Sequence, residues 1–306
     1  ITLNQFLKGE TNKKSIKIRG KLNFPKKKWT EPMPAVVLLH GSGGPRKGVK
    51  HWSKILEKIG LATFIVDSNS TRGCPLDSKK TCKNYSEHQG MANIVDAYRA
   101  LELLSTHPQI DPNRIALMGF SVGGKATLYA SVKRFQKMWG TPGLEFAAYI
   151  PFYPACNITF DHDEQISDKP IRIFYGEVDE WSSPIPCQEY VDRLRKAGKD
   201  ATITIYPGAH HNFDHKGDAT APTSIPSKNS RINCQFVEET EYDNLVVLAK
   251  DKNNSELENL YNQCTSIYPN RKKICRLNAY ISLKTSNIYS AESYDYFSRT
   301  MNMKEK

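Results

Sequence analysis

The sequence predicts an α/β fold, a doubly wound and mostly parallel sheet with helices on both faces. Three observations predict it. Continuous apolar runs such as Ala35–Leu39 are those of strands buried on both faces. Between these runs lie segments whose apolar residues recur at helical spacing. Short glycine-rich turns, His40–Gly44 and Gly119–Gly124, follow the strands at once. At 306 residues the chain suits one domain, 1–306, with a core of its own.

Ser15 to Leu22 alternates apolar and charged residues, as an edge strand does. After Ala35–Leu39, the positions Trp52, Ile55, Leu56 and Ile59 mark a helix that Gly60 closes. Leu61–Val66 is the next strand, and Asp67–Tyr85 a long polar loop. From Gly90 to Leu104, Ile94, Ala97, Tyr98, Leu101 and Leu104 form one face of an amphipathic helix. Ile115–Met118 is a buried strand, with a helix over Lys125–Lys133 after it. Phe146–Phe152 and Ile171–Tyr175 are further strands, followed by a helix from about Pro186 to Ala197 and an alternating last strand, Ala201–Tyr206. Beyond His211 the chain turns polar. Residues 215–287 form an insertion with one strand-like run, Leu245–Leu248, expected to lie near the pocket as a partial lid. Ala291, Tyr294, Phe297 and Met301 then mark a terminal helix.

An apolar fraction of 39% with 25% charged residues is that of a soluble globular protein. No apolar run approaches the roughly 18 residues of a membrane span. The net charge of +11 raises nucleic acid as a partner. Its basic clusters, Pro25–Trp29 and Arg271–Lys273, are short, and no aromatic platform accompanies them. A lysine-rich solvated surface accounts for the charge, and no nucleic-acid partner is expected.

None of the seven cysteines falls in a C-x-x-C pair, which argues against zinc or thioredoxin chemistry. All lie in or beside predicted loops. This favours an oxidising compartment and a periplasmic or secreted protein, with the cytoplasm as the alternative. The start at Ile1 suits a processed product whose signal peptide has been removed. Cys74 with Cys82, Cys156 with Cys187, and Cys234 with Cys264 or Cys275 are the candidate disulfides. Oligomeric state is not legible.

Chemistry concentrates in Gly119-Phe120-Ser121-Val122-Gly123, a G-x-S-x-G between a predicted strand and helix. Such a turn strains the serine backbone, and side chains at its two glycines would strike the flanking elements. A chain of this length shows the pattern by chance about one time in ten, so the elbow needs company. Serine needs a base, an acid to orient that base, and donors for an oxyanion. Asp179 follows the Ile171–Tyr175 strand, with Glu177 and Glu180 as competitors. His211 follows the last strand, with His210 as its neighbour and rival. The backbone N–H groups of Ser42 and Val122 are the candidate oxyanion donors. His40 is expected to bond within its own loop. Phe120 and Trp181, with Tyr153 and Trp52, are candidates to line an acyl pocket.

The patterns H-G-x-x-G, G-F-S-x-G-G, Y-G-x-x-D and Y-P-G-A-x-H-x-F resemble the dienelactone hydrolase family of α/β-hydrolases, over roughly Ser15 to Asp214. Asp67-Ser68 leading to Arg72-Gly73 resembles that family's loop after the strand, which makes Arg72 a substrate-binding candidate. The family's histidine is the second of the pair, favouring His211. The resemblance implies a triad of Ser121, Asp179 and His211, no metal or other cofactor, and hydrolysis of a small-molecule ester or lactone. The family's namesake uses a cysteine nucleophile where this chain has Ser121, so its particular substrate does not carry over. A non-catalytic binding protein on the same fold, and a thioesterase or peptidase using the same triad, are the alternatives.

Overall fold

The apolar runs Ala35–Leu39, Ala62–Val66, Ile115–Met118 and Ile171–Tyr175 each lie in a strand of one central sheet. The computed structural model describes residues 3–11, 15–26, 29–72, 90–215, 236–239 and 244–246. In chain order the strands are β1 (Arg19–Asn23), β2 (Met33–Leu39), β3 (Ala62–Asp67), β4 (Ile110–Phe120), β5 (Tyr149–Phe152), β6 (Ile158–Thr159), β7 (Ile171–Gly176), β8 (Ala201–Tyr206), β9 (Phe236–Glu239) and β10 (Asn244–Val246). Seven of them pair in the order β1-β3-β2-β4-β5-β7-β8, with β1 antiparallel and the rest parallel. The central strands β2 and β4 carry side chains closed to solvent on both faces, Val37, Leu38, Ile115 and Leu117 among them. Each such burial contributes about 2 kcal/mol.

The helices are α1 (Leu3–Lys8), α2 (Lys47–Lys58), α3 (Met91–Ser105), α4 (Val122–Tyr129), α5 (Lys133–Trp139) and α6 (Ile185–Lys196). The amphipathic face expected of α3 is buried, with Ile94, Ala97, Tyr98, Leu101 and Leu104 inside. Pro186 in the first turn of α6 and Arg193, Arg195 and Lys196 in its last complement the helix ends. Gly198, at φ 74°, closes that helix.

Register decides where the site lies. Leu39 pairs with Gly119, Phe120 with Phe152, Phe152 with Phe174, and Gly176 with Tyr206. The carboxyl ends of five strands therefore share one edge of the sheet, and the loops leaving them converge there. The chain runs from β2 outward to β3, then returns to β4 on the other side of β2. This reversal opens a crevice at the ends of β2 and β4, where open α/β sheets place their ligands.

Several boundaries differ from the sequence reading. β1 begins at Arg19, and Ile16 is exposed ahead of it. Ile59 is the C-cap of α2 and 69% exposed, so the apolar stripe of that helix ends at Leu56. The run Phe146–Phe152 pairs only from Tyr149 onward. One helix over Lys125–Lys133 becomes two. α4 starts at Val122, directly after the elbow serine, and ends at Tyr129. A turn then carries Val132 into an isolated bridge with Ile166 before α5 begins at Lys133. Helix α1 was not anticipated. It buries Phe6 and Leu7, and Trp139 Nε1 donates to the Phe6 carbonyl at 3.0 Å.

A second sheet, β10-β9-β6, attaches part of the insertion to the core. β9 pairs in parallel with β6, and the Glu238 carboxylate accepts from Arg134 at 2.6 Å and from the Asp161 backbone N–H at 2.8 Å. Of the run expected over Leu245–Leu248, Leu245 and Val246 lie in β10, and Val247 and Leu248 lie outside the described residues. Cys156 and Cys187 form a disulfide, joining the loop after β5 to α6. The other proposed cysteine pairs, the terminal helix and the rest of the insertion lie outside the described residues. No helix among the described residues is long and apolar enough to cross a membrane.

Candidate active site

Ser121 ends β4 and precedes α4 with φ 54° and ψ −114°, outside the regions an L-residue prefers. Strain of this kind costs about 1–3 kcal/mol and persists only when its surroundings enforce it. Here they do. A Cβ at Gly119 would collide with the Gly123 carbonyl, and one at Gly123 would come within 2.5 Å of the Leu39 carbonyl. The Ser121 N–H donates to the Phe152 carbonyl at 3.0 Å, while its own carbonyl accepts from Lys125 N at 2.8 Å. Strand, elbow and helix thus lock the serine at the crevice.

The loops after β7 and β8 bring up the other two residues. His211 Nε2 lies 3.1 Å from Ser121 Oγ, and His211 Nδ1 lies 2.7 Å from Asp179 Oδ2. The second oxygen of Asp179 accepts backbone N–H groups from Trp181 at 2.8 Å and Ser182 at 3.1 Å. Its side chain is fully buried and that of His211 is 6% exposed. An ionised carboxylate in such a place needs these donors, and with Oδ1 committed to them Oδ2 is left to face the imidazole. The arrangement puts the proton on Nδ1 and an acceptor lone pair on Nε2, toward the serine. Such a chain can take a proton from a hydroxyl and return it to a leaving group. Gly176, ending β7, passes against the Ala209 and His210 carbonyls, and any Cβ there would strike them.

The rivals take other positions. His210 Nδ1 lies 2.9 Å from Glu180 Oε2, and that same oxygen accepts the His211 backbone N–H at 3.3 Å. Glu177 accepts from Gly208 N at 2.9 Å. Both carboxylates therefore fasten the histidine loop while Asp179 addresses the ring.

Val122 follows Ser121 at the start of α4, and the loop carrying Ser42 comes close to the elbow at Gly41. A Cβ on Gly41 would stand 3.3 Å from the Phe120 carbonyl and 3.4 Å from Ser121 Cβ, so that backbone passes directly against the elbow. Asn69 Nδ2 donates to the Ser42 carbonyl at 3.3 Å, holding the loop from the β3 side. His40, 2% exposed, donates from Nδ1 to the Gly41 carbonyl at 2.6 Å and accepts the Ser68 N–H on Nε2 at 3.2 Å. Burial lowers its pKa and keeps it neutral.

Of the pocket candidates, the Trp181 ring stands 5.9 Å from that of His211, and its Nε1 is buried with no hydrogen-bond partner among the described residues. Phe120 is 3% exposed and packs in an aromatic cluster with Trp52, Phe152 and Tyr153. Arg72, expected at the substrate, is 11% exposed at its side chain, and both its terminal nitrogens bond Asp96, at 2.6 and 2.7 Å. It also donates to the Ser68 carbonyl at 2.7 Å, bracing the loop after β3 against α3. The sequence reading missed what surrounds His211. Tyr153 sets its ring 4.6 Å from the imidazole and donates its hydroxyl to Asp214, and only the position of Asp214 three residues past His211 hinted at this.

The dienelactone hydrolase family model matches residues 18–240, well over half of the chain. A probable 2-oxo-3-(5-oxofuran-2-ylidene)propanoate lactonase of Bradyrhizobium is 26% identical over 215 residues, covering 65% of this chain and 81% of its own. Protein usf of Aquifex pyrophilus is 25% identical over 210 residues, covering 67% of this chain and 85% of its own. Among solved structures, a putative dienelactone hydrolase from Klebsiella pneumoniae superposes with a TM-score of 0.51 at 17% identity. That superposition covers 64% of this chain and 88% of the other.

Proposed function

Because the chain belongs to the dienelactone hydrolase family, we propose that it is a serine hydrolase that cleaves carboxylic esters or lactones through an acyl-enzyme on Ser121. The observation that carries this reading is the unbroken chain from Ser121 Oγ through His211 to Asp179, at 3.1 and 2.7 Å. In the proposed first step Ser121 Oγ bonds the acyl carbon as His211 Nε2 takes its proton. Asp179 stabilises the imidazolium that results. The N–H groups of Val122 and Ser42 receive the oxyanion. His211 then protonates the departing alkoxide, the ester C–O bond breaks, and the acyl group stays on Ser121. Water, deprotonated by His211, attacks the acyl carbon, the acyl carbon–Oγ bond breaks, His211 returns the proton to Ser121 Oγ, and the carboxylic acid leaves.

Lactones fit the same steps, with the alkoxide remaining attached to the acyl chain after ring opening. The lactonase named among the relatives favours including them. The test is turnover of a short-chain p-nitrophenyl ester and a panel of lactones by wild type, Ser121→Ala and His211→Ala. Each substitution should reduce kcat by about 10⁴-fold or more with the fold intact. Wild-type rates in either variant would overturn the assignment.

A further inference from the structure

His211 sits on a loop, and a loop alone does not aim an imidazole. Two elements converge on the segment that follows it. Trp52 of α2 donates from Nε1 to Asp214 Oδ2 at 2.6 Å. Tyr153, in the loop after β5, donates its hydroxyl to Asp214 Oδ1 at 2.8 Å. Both carboxylate oxygens are thus engaged, each by a donor from a different element. Tyr153 is itself held in place. It is 1% exposed, has φ 38°, and donates its backbone N–H to the Phe174 carbonyl of β7 at 2.7 Å. Its ring lies against that of His211, the two centroids being 4.6 Å apart. On the chain side, Asn212 adopts φ 63°, and its carbonyl accepts from His215 N at 2.9 Å, closing a tight turn that directly follows the histidine and contains Asp214.

We propose that Asp214 is a positioning residue for His211, gripping Trp52 and Tyr153 so that the turn and the Tyr153 ring hold the imidazole between Asp179 and Ser121. The inference rests on the reading of His211 as the general base. Asp179 bonds Nδ1 and so sets the tautomer and one end of the ring. By itself that bond does not stop the ring turning about it, and such a turn moves Nε2 away from Ser121 Oγ. The face of Tyr153 blocks the turn, and Asp214 keeps Tyr153 and the histidine loop in register. Glu180, hydrogen-bonded to His210 Nδ1 at 2.9 Å, fastens the same loop from the acid side. The two carboxylates thus brace the histidine loop at both ends.

The experiment measures the second-order rate of Ser121 labelling by a fluorophosphonate, which depends on the Ser121–His211 contact and not on product release. Wild type, Tyr153→Phe, Asp214→Ala and the double variant are compared, with thermal midpoint, kcat and KM for one p-nitrophenyl ester. An ångström of misplacement costs about 10²-fold, so a partial loss of aim should slow labelling and kcat by about tenfold with KM within about twofold. Because the two groups act through one contact, the double variant should be little slower than Asp214→Ala. Tyr153→Phe removes a single oxygen and keeps the ring, so it provides the reading if Asp214→Ala does not fold. Labelling of folded Tyr153→Phe at the wild-type rate would overturn the proposal, as would fully multiplicative effects in the double variant. Failure of wild type itself to label would instead overturn the reading of Ser121 and His211.

Discussion

Asp179→Asn separates orientation of the base from mere occupancy of the acid position. The side chain is fully buried, and asparagine has the same shape. Its two oxygens now do different things, Oδ1 accepting from Trp181 and Ser182 and Oδ2 accepting from His211. Two backbone donors hold whatever stands at Oδ1, so the amide oxygen takes that place and its NH2 turns to His211. Nδ1 must then accept, which moves the ring proton to Nε2, facing Ser121 Oγ at 3.1 Å. A base that already carries its proton there cannot take one from the serine. The corresponding loss in serine hydrolases of this logic is about 10⁴-fold in kcat, or about 5.5 kcal/mol of transition-state stabilisation. The assay is initial-rate hydrolysis of a short-chain p-nitrophenyl ester, with a thermal midpoint to verify folding. Glu180→Gln, which leaves the tautomer alone, is the control and should lose less than about tenfold. A loss under tenfold in folded Asp179→Asn would refute the tautomer argument.

Three further predictions concern the frame around the site. The Cys156–Cys187 disulfide closes a separation of 31 residues, so the paired serine variant should lose about 4 kcal/mol and roughly 6 °C in Tm, measured by calorimetry without reductant. Arg72→Met leaves Asp96, 5% exposed at its side chain, without its bidentate partner. It should lower the unfolding free energy by roughly 3–5 kcal/mol in urea titration, with KM for neutral esters unchanged. His40 has its pKa lowered by burial, so the unfolded chain binds a proton at a higher pH than the native one does. Its neutral state costs nothing above the unfolded value of about 6.5, and stability falls as pH drops from there toward the lowered native value. Unfolding free energies between pH 7.5 and 5.5 should therefore decline more steeply in wild type than in His40→Gln.

The parts of the fold with a strong local signal were legible. β2 and β3 are apolar runs buried on both faces, β7 buries Ile171, Ile173 and Tyr175 on one face, and α3 shows its buried stripe in the spacing of Ile94, Ala97, Tyr98, Leu101 and Leu104. The candidate site residues Ser121, Asp179 and His211 were legible because each directly follows a strand, where register gathers the loops. What escaped depends on tertiary contact. The break between α4 and α5 comes from a bridge between Val132 and Ile166, which no local pattern announces. β6 is two residues long and exists through its pairing with β9, more than seventy residues later. Arg72 is a substrate-binding candidate only through the family resemblance, and only the neighbouring α3 shows that Asp96 engages it. Asp214 looked like the start of a polar insertion, because its donors come from Trp52 and Tyr153, distant in sequence.

The central claim is that Ser121 is a nucleophile activated by His211. Intact-mass and peptide mass spectrometry after treatment with a fluorophosphonate tests it most directly. The account predicts a single adduct on Ser121 in wild type, absent in Ser121→Ala and strongly slowed in His211→Ala. No adduct on wild type, or an adduct on another residue that persists in Ser121→Ala, would contradict it.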